Sequence, residues 1–243
     1  MKVIGCLRLL LFYDVVTAVA SVIYTCSSNA TCGCSRNSAV LTRIIGGEQA
    51  APDTWSWTVS IRRANSHTCG GSLISSTLVL TAAHCLVSIR SLSTLSVNVG
   101  SKYLSVAGQQ RSVSNVYIHH QYDVNSLVHD IAVIRLSSPL NVDDRAVAII
   151  CLPSTSSTDY PVANKSVVAV GWGVLSSGSK LSSNSLQQVT LQTMSTSSSN
   201  CRKLVNDNRV QFCAAVPGGG KGMTSENPNG GRRRTRDVHS LFH

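Results

Sequence analysis

The sequence predicts an all-β fold, and three observations support this prediction. Short runs of apolar or alternating residues recur along the chain. Gly, Ser, Asn or Pro separates these runs, which is the pattern of sandwiches and barrels. Charged residues make up only 13% of the 243 residues, about half the usual share, and no long stretch keeps the period of a helix.

The predicted strands begin at residue 57. In each run the apolar side chains are either continuous or alternate with polar ones, as buried and half-buried strands require. The runs cover residues 57–61, 72–81, 95–99, 111–118, 131–136, 166–170 and 186–194. Residues 200–205 have the pattern of a short helix.

The first 20 residues have the layout of a secretory signal peptide. Lys2 and Arg8 precede an apolar stretch, and the small residues 18–20 form a cleavage site before Ser21. An uncleaved membrane anchor would need about 18 apolar residues free of charge, and Asp14 interrupts the stretch. We therefore expect a secreted, extracellular protein with no membrane association.

The last part of the chain differs in kind from the rest. Residues 218–243 are rich in Gly, Asn and Arg and almost free of large apolar side chains, so we expect a disordered tail at 222–243. Positive charge is spread along the chain, because residues 1–43, 44–217 and 218–243 carry +3, +4 and +3 of the total of +10. Without one basic face, nucleic-acid binding is not expected.

The nine cysteines indicate an oxidising compartment. Removal of the signal peptide takes away Cys6 and leaves an even number that can all pair. Asn29 and Asn164 each begin an Asn-x-Ser/Thr sequence, and in a secreted chain such sequences are acceptors for glycosylation.

Three motifs stand in a fixed order and carry the chemistry. They are Arg43-Ile44-Ile45-Gly46-Gly47, Thr81-Ala82-Ala83-His84-Cys85, and Asp130 at the head of a buried strand. At these residues the chain resembles the trypsin/chymotrypsin family of serine proteases. Further matches are Cys69-Gly70-Gly71-Ser72-Leu73-Ile74, Ile150-Cys151-Leu152-Pro153, Gly171-Trp172-Gly173 and Phe212-Cys213-Ala214, so that the resemblance covers about residues 44–221.

The resemblance implies two antiparallel six-stranded β-barrels with the catalytic groups between them. It assigns His84 as the general base and Asp130 as the carboxylate that orients it, because a serine hydroxyl is a poor nucleophile until an imidazole removes its proton. Residues 21–43 become a propeptide, which a trypsin-like activating protease would cut between Arg43 and Ile44. Proteins or peptides are the implied substrates.

The resemblance also implies the disulfides. Cys69 would pair with Cys85 and Cys201 with Cys213, while Cys151 would tie the propeptide to the protease domain. Its partner stays open among Cys26, Cys32 and Cys34, with the other two joined to each other. No cofactor or metal is expected, since the loop that binds calcium in some members, about residues 100–113 here, has no Asp or Glu.

One part of the family's pattern is absent. The match stops at Lys221, and the Gly-Asp-Ser-Gly-Gly-Pro segment that carries the nucleophile occurs nowhere in the 243 residues. Ser225 and Ser240 lack the preceding glycine that would help form an oxyanion hole. We expect an incomplete domain at 44–221, a truncated second barrel and an inactive chain.

Three readings of this chain remain open: an incomplete product of a protease gene, a non-catalytic homologue that serves as a binding module, and a degenerate sequence. The loss of whole strands would leave open sheet edges, which favours the incomplete product. His119, His120 and His129 match variable loop positions of the family, and we expect them to be ordinary surface residues.

Overall fold

The computed structural model describes residues 22–26, 30–41, 47–153, 162–174, 182–216 and 240–242. It confirms the all-β class, with every strand pair antiparallel. The signal peptide, Asn29, the Arg43–Ile44 bond and tail residues 222–239 lie outside these ranges. Within them, no helix is long and apolar enough to cross a membrane.

The strands of the described ranges alternate with very little helix. They are β1 (Val22–Tyr24), β2 (Ala39–Leu41), β3 (Glu48–Gln49), β4 (Thr58–Arg63), β5 (Ser66–Ser75), β6 (Leu78–Thr81), β7 (Leu95–Val99), β8 (Gln109–Ile118), β9 (Ala132–Leu136), β10 (Ser166–Gly171), β11 (Gln187–Met194), β12 (Cys213–Ala215) and β13 (Ser240–Phe242). One α-helix, α1 (Ser199–Arg202), and 3-10 turns at Ala83–Cys85 and Leu92–Thr94 complete the elements.

Six of these strands form a closed barrel in the order β4-β5-β6-β9-β8-β7. Val59, Ile61, Leu73, Val97 and Ile134 fill its interior and are at most 1% exposed. The alternation of apolar and polar residues explains why these strands close into a barrel. Apolar side chains at every second position of each strand point to one face and together make a single core. Closure also leaves no free strand edge among these six strands.

The predicted single strand at 72–81 is wrong, because the structure contains a hairpin there. β5 ends at Ser75 and β6 begins at Leu78. The Ser75 hydroxyl accepts hydrogen bonds from the N–H groups of Thr77 and Leu78, at 3.2 and 3.0 Å. Serine favours such turns because its side chain satisfies the backbone locally, and a pattern of apolar residues alone does not reveal the reversal.

The predicted helix at 200–205 is shorter in the structure and begins earlier, at Ser199. Ser198 caps it, and its hydroxyl accepts a hydrogen bond from the N–H of Cys201. Capping of this kind is typical of Ser at the position before a helix. The chain leaves the helix after Arg202.

The second half of the molecule forms an open sheet. Its order is β12-β11-β10-β13, and β3 pairs with the end of β11. A separate small core lies on this sheet and consists of Val167, Ala169, Val189, Leu191 and Val216. β13 corrects the expected absence of structure at residues 240–242 of the tail: the backbone of β10 has an otherwise unpaired edge, and such an edge accepts a further strand.

The β1–β2 hairpin contacts both the core of the barrel and β11 of the second half. Leu41 is only 3% exposed, and the Tyr24 and Trp55 rings lie 6.0 Å apart. The Gln188 side chain donates to the carbonyl of Val40 at 2.9 Å. This segment is therefore docked by apolar contacts and hydrogen bonds as well as by a covalent link.

The structure holds four disulfides among the described residues. Two of them, Cys69–Cys85 and Cys201–Cys213, are the pairs that the resemblance implies. The partner of Cys151, which the sequence left open, is Cys32, and Cys26 pairs with Cys34. The Cys32–Cys151 link spans 119 residues of sequence and joins the N-terminal segment to the loop after the barrel.

Candidate active site

His84 lies in the 3-10 turn that directly follows β6. Two links hold this turn against β5. The Thr81 hydroxyl donates to the carbonyl of Gly70 at 2.9 Å, and Cys85 is bonded to Cys69. The backbone around the imidazole is therefore fixed on both sides.

Asp130 lies two residues before β9, and strand pairing brings it to His84. β6 and β9 run antiparallel with Thr81 opposite Ala132, so the end of one strand lies beside the start of the other. The two side chains are 23% and 19% exposed. They meet at the rim of the barrel, where solvent and a ligand have access.

Both oxygens of Asp130 bind the same residue. Oδ1 accepts the backbone N–H of His84 at 2.8 Å, and Oδ2 lies 2.7 Å from Nδ1. Because an ionised carboxylate only accepts hydrogen bonds, Nδ1 carries the proton and Nε2 is the basic nitrogen of the neutral ring. This arrangement prepares Nε2 to take a proton from a neighbouring hydroxyl.

A possible metal-ligating group overlaps this site but does not fit a metal. Ligand atoms of Cys69, His84 and Cys85 lie within 4.8 Å of one another. Both sulfurs belong to one disulfide, and metal coordination by cysteine requires a thiolate. Nε2 of His84 lies 3.5 Å from the sulfur of Cys85, so a disulfide forms one wall beside the basic nitrogen.

Three histidines beside Asp130 form a stacked row that the sequence analysis missed. The ring of His119 lies 4.6 Å from that of His129, at an interplanar angle of 12°, and 4.8 Å from that of His120, at 20°. His120 is exposed and the other two are partly exposed, so all three lie at the surface as expected, but their stacking was not predicted. We call these three residues the histidine row.

A loop of the second half supports the segment that leads to Asp130. The side chains of Asn206 and Gln211 donate to the carbonyls of Ser126 and Leu127, at 2.7 and 3.0 Å. In the same loop, Arg209 donates two hydrogen bonds to the Asp207 carboxylate. Those bonds lower the pKa of Asp207 to about 2, and the charge of His129 makes a smaller contribution in the same direction.

The remaining residues singled out by the sequence lie apart from this site. Asn164 is exposed in the turn before β10, with a positive φ of 62°, a conformation that Asn tolerates better than most residues. Ser240 belongs to β13, while Ser225 lies outside the described ranges.

Known proteins with similar sequences indicate the family of this chain. Residues 44–226 match the family model described as Trypsin. Trypsin alpha of Drosophila melanogaster is 42% identical over 156 residues, which are 64% of this chain and 58% of that protein. The clotting factor G beta subunit of Tachypleus tridentatus is 35% identical over 199 residues, 75% of this chain and 62% of that protein. This chain thus spans less than two thirds of the length of these relatives.

A solved structure gives the same result for the fold. Human heparin binding protein superposes with a TM-score of 0.60 at 25% sequence identity, over 71% of this chain and 72% of that one. The similarity therefore extends well beyond a single barrel.

Proposed function

Because this chain belongs to the trypsin family of serine proteases, we propose that it derives from a secreted endopeptidase precursor in which His84 is the general base. The two-point hydrogen bonding of Asp130 to His84 carries this proposal. It fixes the tautomer that places the basic nitrogen away from the carboxylate, as proton removal from a serine requires.

The proposed step uses these residues as follows. Nε2 of His84 takes the proton from a serine hydroxyl while its oxygen forms a bond to the carbonyl carbon of the substrate. Asp130 stabilises the imidazolium that results, and His84 then returns the proton to the amine that leaves when the peptide bond breaks. His84 next takes a proton from a water molecule, whose oxygen bonds to the acyl carbon, and returns that proton to the serine oxygen as the serine–acyl bond breaks. Peptide-bond hydrolysis needs no redox partner in this scheme.

The serine itself must come from the segment that the 243 residues do not contain. The proposal therefore has two parts: residues 1–243 provide the base and its orienting carboxylate, and they do not hydrolyse peptides by themselves. Hydrolysis would require the family's Gly-Asp-Ser-Gly-Gly-Pro segment after Lys221, together with the oxyanion hole that it builds.

A graft tests both parts. We expect residues 1–243 to remain unlabelled by a fluorophosphonate probe. Replacement of everything after Lys221 by the corresponding remainder of a trypsin, followed by cleavage at Arg43, should restore labelling and hydrolysis. Asp130→Asn in the graft should then lower kcat about 10⁴-fold, a magnitude carried over from trypsin itself, and His84→Ala should lower it at least as far.

Two outcomes contradict the proposal. Labelling of residues 1–243 that disappears with Ser225→Ala or Ser240→Ala would identify another nucleophile. A graft that remains equally active with His84→Ala would remove His84 from the mechanism. Asn115, whose side chain is exposed on β8, provides a matched control, because Asn115→Ala should leave the graft's activity unchanged.

Secretion and processing of the precursor are a further part of the proposal. The four disulfides support an oxidising compartment. Expression in insect cells should give a protein in the medium that starts at Ser21 and loses mass with a glycosidase, as occupied Asn29 and Asn164 require. Retention of residues 1–20, or a chain confined to the cytosol, would contradict this part.

A non-catalytic binding module is the second candidate, and one comparison favours it. The structural neighbour is named for binding heparin, a polyanion that attracts basic surfaces. However, residues 47–153 contain seven Lys and Arg against six Asp and Glu, so the barrel has little excess charge. We therefore prefer the proteolytic role, and elution from a heparin column at low salt would agree with that preference.

A further inference from the structure

The histidine row is joined by hydrogen bonds to the segment that carries Asp130. The N–H of His119 donates to the carbonyl of Ile131 at 3.1 Å, and the N–H of Ile131 donates to the carbonyl of His129 at 2.8 Å. Asp130 lies in sequence between His129 and Ile131, the two residues that the second of these hydrogen bonds joins. A tight turn closed on both sides therefore fixes the backbone of the orienting carboxylate.

The same segment contains a strained backbone. Leu127 has φ of 54° and His129 has φ of 56°, a left-handed conformation that is uncommon for residues other than Gly and that His adopts more readily than Leu does. Such conformations persist only where the surroundings hold them. At Leu127 the support is the hydrogen bond from Gln211, and at His129 it is the stack on the His119 ring.

Charged groups of both signs surround the row: carboxylates favour a proton on a nearby imidazole, and a protonated neighbouring ring disfavours one. The loop of the second half contributes Asp207, which is paired with Arg209, and the row's own segment contributes Asp123 and Asp130. Loss of solvent contact lowers the pKa of His119, and the nearby charges of His129 and His120 lower it further. Because the pKa of His119 is lower in the stack, the stacked rings bind fewer protons than separated rings do. A lower pH therefore favours separation of the rings.

We propose that His129 and His119 are positioning residues for Asp130, and that the stack holds Asp130 on His84 only while the row carries at most one positive charge. A second proton would separate the rings, allow His129 to leave its strained conformation and turn Asp130 away from Nδ1 of His84. The inference rests on the proposed function for its relevance to proteolysis. Its test measures the hydrogen bond between Asp130 and His84 and does not measure hydrolysis. The inference and the proposed function can therefore fail separately.

The experiment follows the Nδ1 proton of His84 by NMR in residues 1–243 as pH is lowered. A proton shared with a carboxylate resonates far downfield and is lost when the bond opens to water. In the unmodified chain we expect this signal to disappear with a midpoint below the ordinary histidine pKa of about 6.5, because the pKa of His119 is lowered in the stack. His119→Phe keeps an aromatic ring for stacking but cannot take a proton, and should move the midpoint lower by about one pH unit.

Two further variants separate positioning from general stability. His119→Ala removes the stack. Exchange of the His84 Nδ1 proton with water should then be about tenfold faster at every pH, a factor equal to one pKa unit. Val124→Ala changes an exposed residue of the same loop while all three imidazoles remain, and should leave both midpoint and exchange rate unchanged.

The result that overturns the proposal is an unchanged midpoint in His119→Phe together with an unchanged exchange rate in His119→Ala. If these variants fail to fold, the unmodified chain still decides the question. Loss of the His84 signal must then follow the titration of the His119 ring carbons. A loss that instead follows the titration of His84 itself would show that the row has no influence on the pair.

Discussion

At the scale of single residues, the carboxylates of this molecule differ in how they are held. Asp130 binds one residue through both oxygens and leaves the ring of His84 in a defined tautomer. Asp207 binds Arg209 in a similar two-point manner, but on the surface, where Arg209 is 83% exposed. Geometry of the same kind therefore fixes the tautomer of a histidine in one place and supports the shape of a loop in the other.

Asp207 allows a direct test by titration. Its pKa is about 2 because Arg209 donates hydrogen bonds to it, so Arg209→Gln should return it towards the ordinary value of about 3.9. A lowered carboxylate pKa stabilises the folded state above the unfolded value, and the contribution is lost as pH falls towards 2. Carbon NMR of the Asp207 carboxyl would measure this, and a titration near 3.9 in the unmodified chain would contradict it.

Gly71 is a residue at which a single methyl group should be costly. A Cβ there would lie 2.8 Å from the carbonyl oxygen of Leu80 and 2.9 Å from Cγ1 of Val79. Overpacking of this kind lowers the free energy of unfolding by about 1–3 kcal/mol. Denaturant unfolding of Gly71→Ala should show the loss.

The control for Gly71→Ala is an exposed position. Val106 is 50% exposed, and Val106→Ala should change the free energy of unfolding by less than about 0.5 kcal/mol. Equal stabilities of the two variants would show that β5 adjusts to the added methyl group more easily than the close contacts indicate.

At the scale of elements, the sequence predicted what depends on local pattern and missed what depends on turns and loops. β7 begins and ends where the alternation predicts, at residues 95 and 99. The break between β5 and β6 was missed because the Ser75 hydroxyl, and no change in hydrophobicity, creates it. β1 and β2 were missed because each has only three residues, too few for a periodic pattern.

The site was predictable to different degrees for the same physical reason. His84 and Asp130 lie in motifs with a strand beside each, so their proximity follows from pairing of β6 with β9. The histidine row was not predictable, since it depends on positive φ at Leu127 and His129, and a positive φ is rare for a residue such as Leu. The partner of Cys151 was not predictable either, because three cysteines lie within a short segment.

The disulfide beside His84 provides a prediction at this scale. Cys69 and Cys85 are separated by 16 residues, and removal of a cross-link that closes such a loop lowers the free energy of unfolding by about 3 kcal/mol. We therefore expect Cys69→Ser with Cys85→Ser to lower stability by that amount and to speed exchange of the His84 Nδ1 proton, because the turn loses one of its two links.

A matched control is the short disulfide of the second half, Cys201–Cys213. Cys201 and Cys213 are separated by 12 residues, and the same double replacement should lower stability by a similar amount while leaving the His84 proton unchanged. If both variants alter that proton equally, the effect belongs to global stability and not to the link at Cys85.

At the scale of the whole molecule, one half is closed and the other open. The barrel satisfies its own strand edges, whereas the described part of the second half is a sheet of five strands in which β10 pairs with residues 240–242. Contacts of the N-terminal hairpin and the Cys32–Cys151 link then connect regions far apart in sequence. Stability is therefore expected to be greatest in the barrel.

The long-range disulfide gives a prediction for the cleaved molecule. After hydrolysis of the Arg43–Ile44 bond, residues 21–43 should remain attached through Cys32 and Cys151. Mass spectrometry should show a single species 18 Da heavier before reduction and two chains after it. Cys151→Ser is the control, and it should release the N-terminal piece without reductant, although the docked hairpin will slow that release.

The closed barrel also has a consequence for the order of events during synthesis. All six of its strands, together with His84 and Asp130, lie between Thr58 and Leu136. A ribosome adds about 5–20 residues per second, so this stretch is complete a few seconds before β10 begins at Ser166. Since all six barrel strands come from this stretch, His84 and Asp130 are able to form their hydrogen bonds while the rest of the chain is still being translated.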